Sequence, residues 1–258
     1  MKLGLKNQNI TGGKLIVETL NIENVTHVFG LIGSATMELF DALYDAKNIK
    51  FIDVRDERTG THMADGYARA SGKPGIIIAG QNGPGATNLV TGIAQAKAAF
   101  SPVISIAGAI ATEHEGKDAF QEIDQQSLFE PITKKTFTVR QTELISETLR
   151  EAFSLALSPR CGPVHINFPR DILANTNSFN QFTKHEKSTL SLVSEDKLSK
   201  ILEIVNKAKQ PIIIAGGGVK HSLSHEQLLN FSKYLNIPIV SSAGHGDVLP
   251  FDETLYAG

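Results

Sequence analysis

Gly75-Ile76-Ile77-Ile78-Ala79-Gly80-Gln81-Asn82-Gly83-Pro84-Gly85, running on into "ATNLVTGIAQAKAAF" (86–100), is the stretch that decides the fold. Consecutive apolar residues cannot alternate between a wet and a dry face. They read as a strand buried on both sides, the signature of a parallel sheet. A glycine-rich turn then hands over to a helical period, which makes half of a βαβ unit. The same order recurs along the chain. "VTHVFG" (25–30), "KFIDV" (50–54), "PVISIAGA" (102–109) and "GPVHINF" (162–168) read as strands. "GGKLIVETLNIEN" (12–24), "ATMELFDALYDA" (35–46), "GTHMADGYARAS" (60–71) and "ISETLREAFSLALS" (145–158) read as helices, the third supported by Asp65 and Arg69 at i,i+4. Residues 110–144 read as a long loop. The fold class is therefore α/β, a parallel sheet flanked by helices.

Beyond residue 175 the pattern changes. "NTNSFNQFTKHEKSTLSLVS" carries no period and reads as a linker, set at residues 176–192. Helix, strand, glycine turn, helix and strand follow in 193–258, which reads as a second Rossmann-like α/β domain cut short after one unit.

Composition narrows the function classes. With 25 Lys+Arg against 27 Asp+Glu the net charge is −2 and no basic block occurs, so nucleic acid and anionic membrane surfaces are not expected partners. Apolar stretches reach only about ten residues, too short to span a bilayer. The polar amino terminus lacks a signal-peptide core, which points to the cytoplasm. Cys161 stands alone ahead of a buried-looking strand and reads as a structural thiol. No pair of histidines has metal-ligand spacing, and His62 reads as a cap for its helix rather than a pocket residue.

In a parallel sheet every strand-to-helix turn opens at the carboxyl edge, where ligands bind. Four turns meet there: Leu31-Ile32-Gly33-Ser34-Ala35, Arg55-Asp56-Glu57-Arg58, Gln81 to Gly85, and the loop "GKDAFQEID" (116–124) with Phe120 and Gln121. The Gln81–Gly85 turn is no P-loop, because Ala86 and Thr87 stand where Lys and Ser/Thr are needed. Nor is it a dinucleotide fingerprint, which belongs to the first βα unit. Pro84 removes a donor and stiffens the turn, which suits a wall better than a cradle of N–H groups; a plain tight turn is the bland alternative. Glu57 reads either as part of a solvated ion-pair cluster or as a partly buried carboxyl available for proton transfer.

Taken together, "RDERTGTHMADGYARASGKPG" (55–75), "QNGPGATNLVTGIAQA" (81–96) and "GKDAFQEID", in this order and spacing, resemble thiamine-diphosphate-dependent enzymes of the acetolactate synthase and sulfoacetaldehyde acetyltransferase family. The resemblance implies a pyrimidine-binding domain over residues 1–175 and the start of a middle domain over 193–258. It assigns Glu57 to the glutamate that hydrogen-bonds the cofactor's aminopyrimidine and favours the imino tautomer, which takes the proton from the thiazolium C2. Pro84 and Asn88 match residues lining the pyrimidine pocket. Gly33, Ser34 and Ala35 match a loop over the reacting atoms, and Phe120 and Gln121 match side chains facing the substrate. The implied reaction is carbon–carbon lysis or acyl transfer on a small 2-oxo acid or aldehyde. "GLIGSATM" (30–37) and "QNGPG" (81–85) look closer to the acetyltransferase, whereas "GKDAFQEIDQQSLFEPITKKTF" (116–137) looks closer to acetolactate synthase.

The family binds the diphosphate and Mg²⁺ in a third domain, so the Mg²⁺ ligands are expected outside this chain and Gly246-Asp247 as middle-domain loop. The chain alone is then expected to be inactive, with the site completed between subunits of a homodimer or homotetramer. A different class of reading makes it a non-catalytic module pairing with a separate diphosphate-binding chain. Some relatives hold FAD around the middle domain, and Gly216-Gly217-Gly218 reads as either a flavin-accepting turn or a plain tight turn.

Overall fold

The apolar run becomes a strand with all five residues buried inside a six-stranded sheet. The computed structural model describes residues 8–179, 183–185 and 193–258, and the chain divides into two units, residues 1–188 and 189–258. In the first unit the sheet strands are β2 (His27–Leu31), β3 (Lys50–Asp53), β4 (Gly75–Ala79), β5 (Val103–Ala109), β6 (Lys135–Thr138) and β7 (Val164–Pro169). Their order is β3-β2-β4-β5-β7-β6, parallel throughout. The helices are α1 (Gly12–Ile22), α2 (Met37–Tyr44), α3 (Glu57–Ser71), α4 (Pro84–Ala98), α5 (Gln125–Phe129), α6 (Ile145–Leu157) and α7 (Arg170–Ala174). A separate antiparallel pair joins β1 (Gln8–Thr11) to β8 (Thr176–Phe179).

Alternation along β4 explains the layers. Ile76 and Ile78 pack with Leu15, Ile16, Leu39 and Phe153 from α1, α2 and α6, while Ile77 and Ala79 pack with Ala64, Leu89, Ile93 and Phe129 from α3, α4 and α5. A strand covered on both faces favours apolar residues on both, so the run is near-continuous rather than alternating. Each fully buried Ile or Leu contributes about 1.5–3 kcal/mol relative to exposure.

The structure departs from the sequence reading in four places. Residues 110–144 are more than a loop, since α5 and β6 lie within them. Among the described residues strand β6 pairs with β7 alone, at the sheet edge, and is partly wet, so its sequence lacks the apolar run that marks a central strand. The first four residues of the expected linker, Thr176–Phe179, form β8, and His185 holds the buried Glu23 carboxylate through its backbone N and Nδ1. A two-stranded ribbon held by backbone hydrogen bonds needs no hydrophobic period. Helix α3 begins at Glu57 rather than at Gly60, because the Asp56 side chain accepts from the backbone N–H of Arg58 and supplies the cap. His62 is consequently not a cap but an exposed residue inside the helix.

Two smaller expectations hold. Arg69 Nε lies 3.1 Å from Asp65 Oδ1. Cys161 is buried, and that burial pushes its thiol up, away from the reactive thiolate.

At the β5–β7 boundary, His165 is fully buried and stacked on Phe129, with ring centroids 3.6 Å apart. A neutral ring protonated at Nε2 satisfies both neighbours, donating to Asn167 Oδ1 at 2.7 Å and accepting from Ser105 Oγ at 2.8 Å. Burial pushes its pKa from 6.5 down to about 3. The unfolded chain therefore takes up a proton near its ordinary pKa that the folded chain refuses. This contribution is complete above the unfolded pKa and declines as pH falls towards the folded one. Between pH 7 and pH 5 the first unit is expected to lose about 2 kcal/mol from this group. Urea unfolding at both pH values checks this, and His165→Gln is expected to flatten the difference.

In the second unit, β9 (Ile213–Ala215) and β10 (Ile239–Ser241) pair in parallel, with α8 (Glu195–Lys207), α9 (Gly217–His221) and α10 (His225–Leu235). Its core gathers Ala215, Ile239, Val248 and Leu249.

Candidate functional site

Strand β2 lies between β3 and β4, so the chain leaves β2 towards one side of the sheet and leaves β4 towards the other. Such a reversal opens a crevice at the carboxyl ends of the two strands. Gly33 and Gly80 form its floor. A Cβ on Gly33 would lie 2.4 Å from the Gly80 carbonyl carbon and oxygen, so only glycine permits this approach. The Gly80 carbonyl accepts from the Ala35 N–H at 3.1 Å and from Thr36 Oγ1 at 3.2 Å, which fixes the Gly33 loop on the end of β4. Ser34 stands at the mouth, exposed. Ala35 is buried and packs beneath Gly108 on β5, so it supports the loop rather than lining the crevice.

Glu57 opens helix α3 and is only 4 % exposed, although the flanking residues are charged. Those neighbours pair away from it: Arg55 with Asp53, and Arg58 with Asp56. The solvated-cluster reading thus holds for them and fails for Glu57. Its Oε2 accepts from Asn88 Nδ2 at 2.9 Å, one turn into α4. Its Oε1 accepts no hydrogen bond among the described residues, and a Cβ on Gly85 would sit 3.1 Å from it. Glycine at 85 therefore leaves an open space beside an open acceptor. Pro84, at the first turn of α4, is exposed beside it and costs no helical hydrogen bond there.

The other side of the Gln81–Gly85 turn meets the loop of residues 116–124. Gly83 has φ +58, in the left-handed region, and a Cβ there would lie 2.5 Å from the Gln121 carbonyl oxygen. Gln121 is itself left-handed at φ +61, a conformation that costs a non-glycine residue energy and needs external support. Asn82 supplies it, donating from Nδ2 to the carbonyls of Phe120 at 3.1 Å and Gln121 at 3.2 Å. The Glu122 carboxylate closes the loop by accepting from the N–H groups of Gly116 and Ala119, and these bonds hold it below the usual carboxylate range. Phe120 is left 82 % exposed at the tip.

One turn thus joins Glu57, Pro84 and Asn88 on one side to Phe120 and Gln121 on the other, with Gly33 and Ser34 alongside. The sequence placed Gln81 and Asn82 in this turn without assigning either side chain a role. Two adjacent polar residues closing a fully buried strand were the available signal.

The family model "Thiamine pyrophosphate enzyme, N-terminal TPP binding domain" matches residues 10–128, and "Thiamine pyrophosphate enzyme, central domain" matches 198–258. The chain belongs to the thiamine pyrophosphate enzyme family. Its relatives include a probable acetolactate synthase large subunit of Methanocaldococcus jannaschii, 38% identical over 253 residues, covering 96% of this chain and 42% of the relative. Acetolactate synthase isozyme 3 large subunit of Escherichia coli is 36% identical, over 90% of this chain and 41% of its own length. The acetolactate synthase large subunit of Lactococcus lactis is 36% identical, over 96% and 44% respectively. The chain therefore spans less than half the length of these relatives.

Membership of the thiamine pyrophosphate enzyme family also frames the second unit. Asp247 pairs with Lys220, which holds its carboxyl below the usual range. Gly217 faces the His245 ring, 2.6 Å from where a Cβ would sit, so glycine there has a packing reason of its own. Among the described residues, no group of three or more His, Cys, Asp and Glu could hold a metal ion, and no helix is long and apolar enough to cross a membrane.

Proposed function

We propose that this chain carries the aminopyrimidine side of a thiamine diphosphate site, in an enzyme that cleaves or transfers an acyl unit of a small 2-oxo acid or aldehyde. The observation that supports the reading is the buried Glu57 carboxylate, one oxygen held by Asn88 and the other open beside Gly85. A flat ring bearing an N–H donor fits that opening. Thiamine diphosphate supplies a nucleophilic carbon and an electron sink once bound. With the cofactor in place, Glu57 Oε1 would hold the proton it shares with the ring nitrogen, the position from which it would favour the imino tautomer. Asn88 keeps the carboxylate from turning away, and Pro84 and Gly85 wall the ring. Gly33 and Ser34 cover the reacting side, with Phe120 and Gln121 towards the substrate.

The diphosphate and Mg²⁺ are held by residues outside this chain, and the site is completed across a homodimer or homotetramer. The names of the relatives favour acetolactate-forming carboligation. Ile32-Gly33-Ser34-Ala35 and Gln81-Asn82-Gly83 favour instead the sulfoacetaldehyde acetyltransferase type of acyl transfer.

Binding to the 258-residue chain tests the reading. 4-Amino-5-hydroxymethyl-2-methylpyrimidine, the ring without its diphosphate, is expected to shift the amide NMR signals of Gly85 and Asn88 at about millimolar concentration, where only a few kcal/mol of contact is available. Absence of those shifts would sink the pyrimidine assignment. Micromolar, Mg²⁺-dependent binding of thiamine diphosphate by the chain alone would overturn the placement of the diphosphate ligands elsewhere.

A further inference from the structure

Three side chains from three loops form one hydrogen-bonded chain at the crevice mouth. Ser34 Oγ donates to Gln81 Oε1 at 2.9 Å, and Gln81 Nε2 donates to Gln121 Oε1 at 2.7 Å. These bonds have direction, and the direction propagates. A glutamine amide has its acceptor and its donors on opposite atoms, so engaging Ser34 through oxygen commits the nitrogen of Gln81 to Gln121. The oxygen of Gln121 is thereby occupied, and its Nε2 donates to nothing among the described residues. The backbone of Gln121 is fixed by other means, namely the two Asn82 hydrogen bonds and the close approach of Gly83. Backbone contacts thus place Gln121, while Gln81 determines which way round its amide stands.

We propose that Gln81 is a positioning residue that orients the Gln121 amide with its N–H groups outward, so that this part of the mouth selects a substrate group bearing acceptor oxygens. Only the word substrate rests on the thiamine diphosphate reading; the orientation does not. Neither residue is charged, so the preference is set by hydrogen-bond polarity. An acceptor such as a carboxylate, sulfonate or carbonyl oxygen completes the chain. An ammonium or amide donor meets two N–H groups and leaves them unpaired, which is costly where water is displaced.

Two variants separate orientation from mere support. Gln81→Glu keeps the size and still accepts from Ser34, but has no N–H to give. The Gln121 amide must then turn, donating from Nε2 and presenting its oxygen outward. Gln81→Leu removes both bonds. The readout is hydrogen exchange of the side-chain NH₂ groups, followed by NMR on the ¹⁵N-labelled 258-residue chain without cofactor. In the unmodified chain the Gln81 NH₂ is expected to exchange about tenfold more slowly than that of Gln121, as one hydrogen bond allows. In Gln81→Glu the Gln121 NH₂ is expected to slow by about the same factor, and in Gln81→Leu to remain fast. A protected Gln121 NH₂ in the unmodified chain, or one that Gln81→Glu leaves unchanged, overturns the proposal.

No cofactor enters that measurement, so its failure is distinct from failure of the thiamine diphosphate reading. In the assembled, cofactor-loaded enzyme, Gln81→Glu is expected to raise KM for pyruvate about tenfold with kcat changed less than about threefold. An unaltered KM overturns the selection of acceptor groups.

Discussion

In the assembled, cofactor-loaded enzyme, Glu57→Gln is expected to slow thiamine-diphosphate-dependent turnover by about 10²–10⁴-fold, the range a positioned acid–base group supplies. The substitution is nearly isosteric. Its amide oxygen can still accept from Asn88, so the α3–α4 contact at 2.9 Å has no reason to fail. What is lost is a carboxylate oxygen facing the opening beside Gly85, an atom able to share a proton with a ring N–H. Deuterium exchange at the cofactor's C2 isolates this step from substrate chemistry, and urea unfolding reports the fold. Slow exchange with an unchanged unfolding midpoint is the expected result. Undiminished exchange in a correctly folded variant would remove Glu57 from the mechanism. A large fall in stability would recast it as a structural carboxylate.

Gly33→Ala is expected to destabilise the first unit by about 3 kcal/mol, the upper end of ordinary overpacking. The backbone torsions are not the cause, since φ −158 and ψ 166 are extended and open to any residue. The cause is the opposing chain. The new methyl would lie 2.4 Å from the carbonyl carbon and oxygen of Gly80, and neither can swing aside as a side chain would. Separating the two loops also loosens the Gly80 carbonyl from the Ala35 N–H and Thr36 Oγ1. The Ser34–Gln81 bond at 2.9 Å would stretch with them, so site geometry and stability fall together. Urea unfolding followed by a probe in the first unit measures the first effect, and hydrogen exchange over residues 116–124 the second. A change below about 1 kcal/mol would mean that the β2–β4 crevice relaxes far more than a close-packed interior allows.

The sequence by itself determined the central strands, because Ile76-Ile77-Ile78 is a continuous apolar run and β5 and β7 carry Val103, Ile104 and Ile106 and Val164, Ile166 and Phe168, a local signal that shows in any window. It also marked out Glu57 and Gly83-Pro84-Gly85 as turn residues at one edge, whereas Asn88 came only through the family resemblance. The edge strand β6 and the ribbon strand β8 stayed hidden, since both are short, partly wet and held by backbone hydrogen bonds that side chains do not announce. Only the tertiary structure decided the strand order, and with it the crevice between β2 and β4. Pairing partners in a sheet are chosen across long sequence separations, where periodicity carries no information. The burial of Glu57 was settled in the same way, by Arg55 and Arg58 taking other carboxylates and Asn88 reaching it from a different helix. Gln81 and Gln121 are 40 residues apart, and nothing in the spacing of either anticipates a bond between them. Local chemistry marked the turns that meet at one edge; long-range packing set which atoms of those turns face one another.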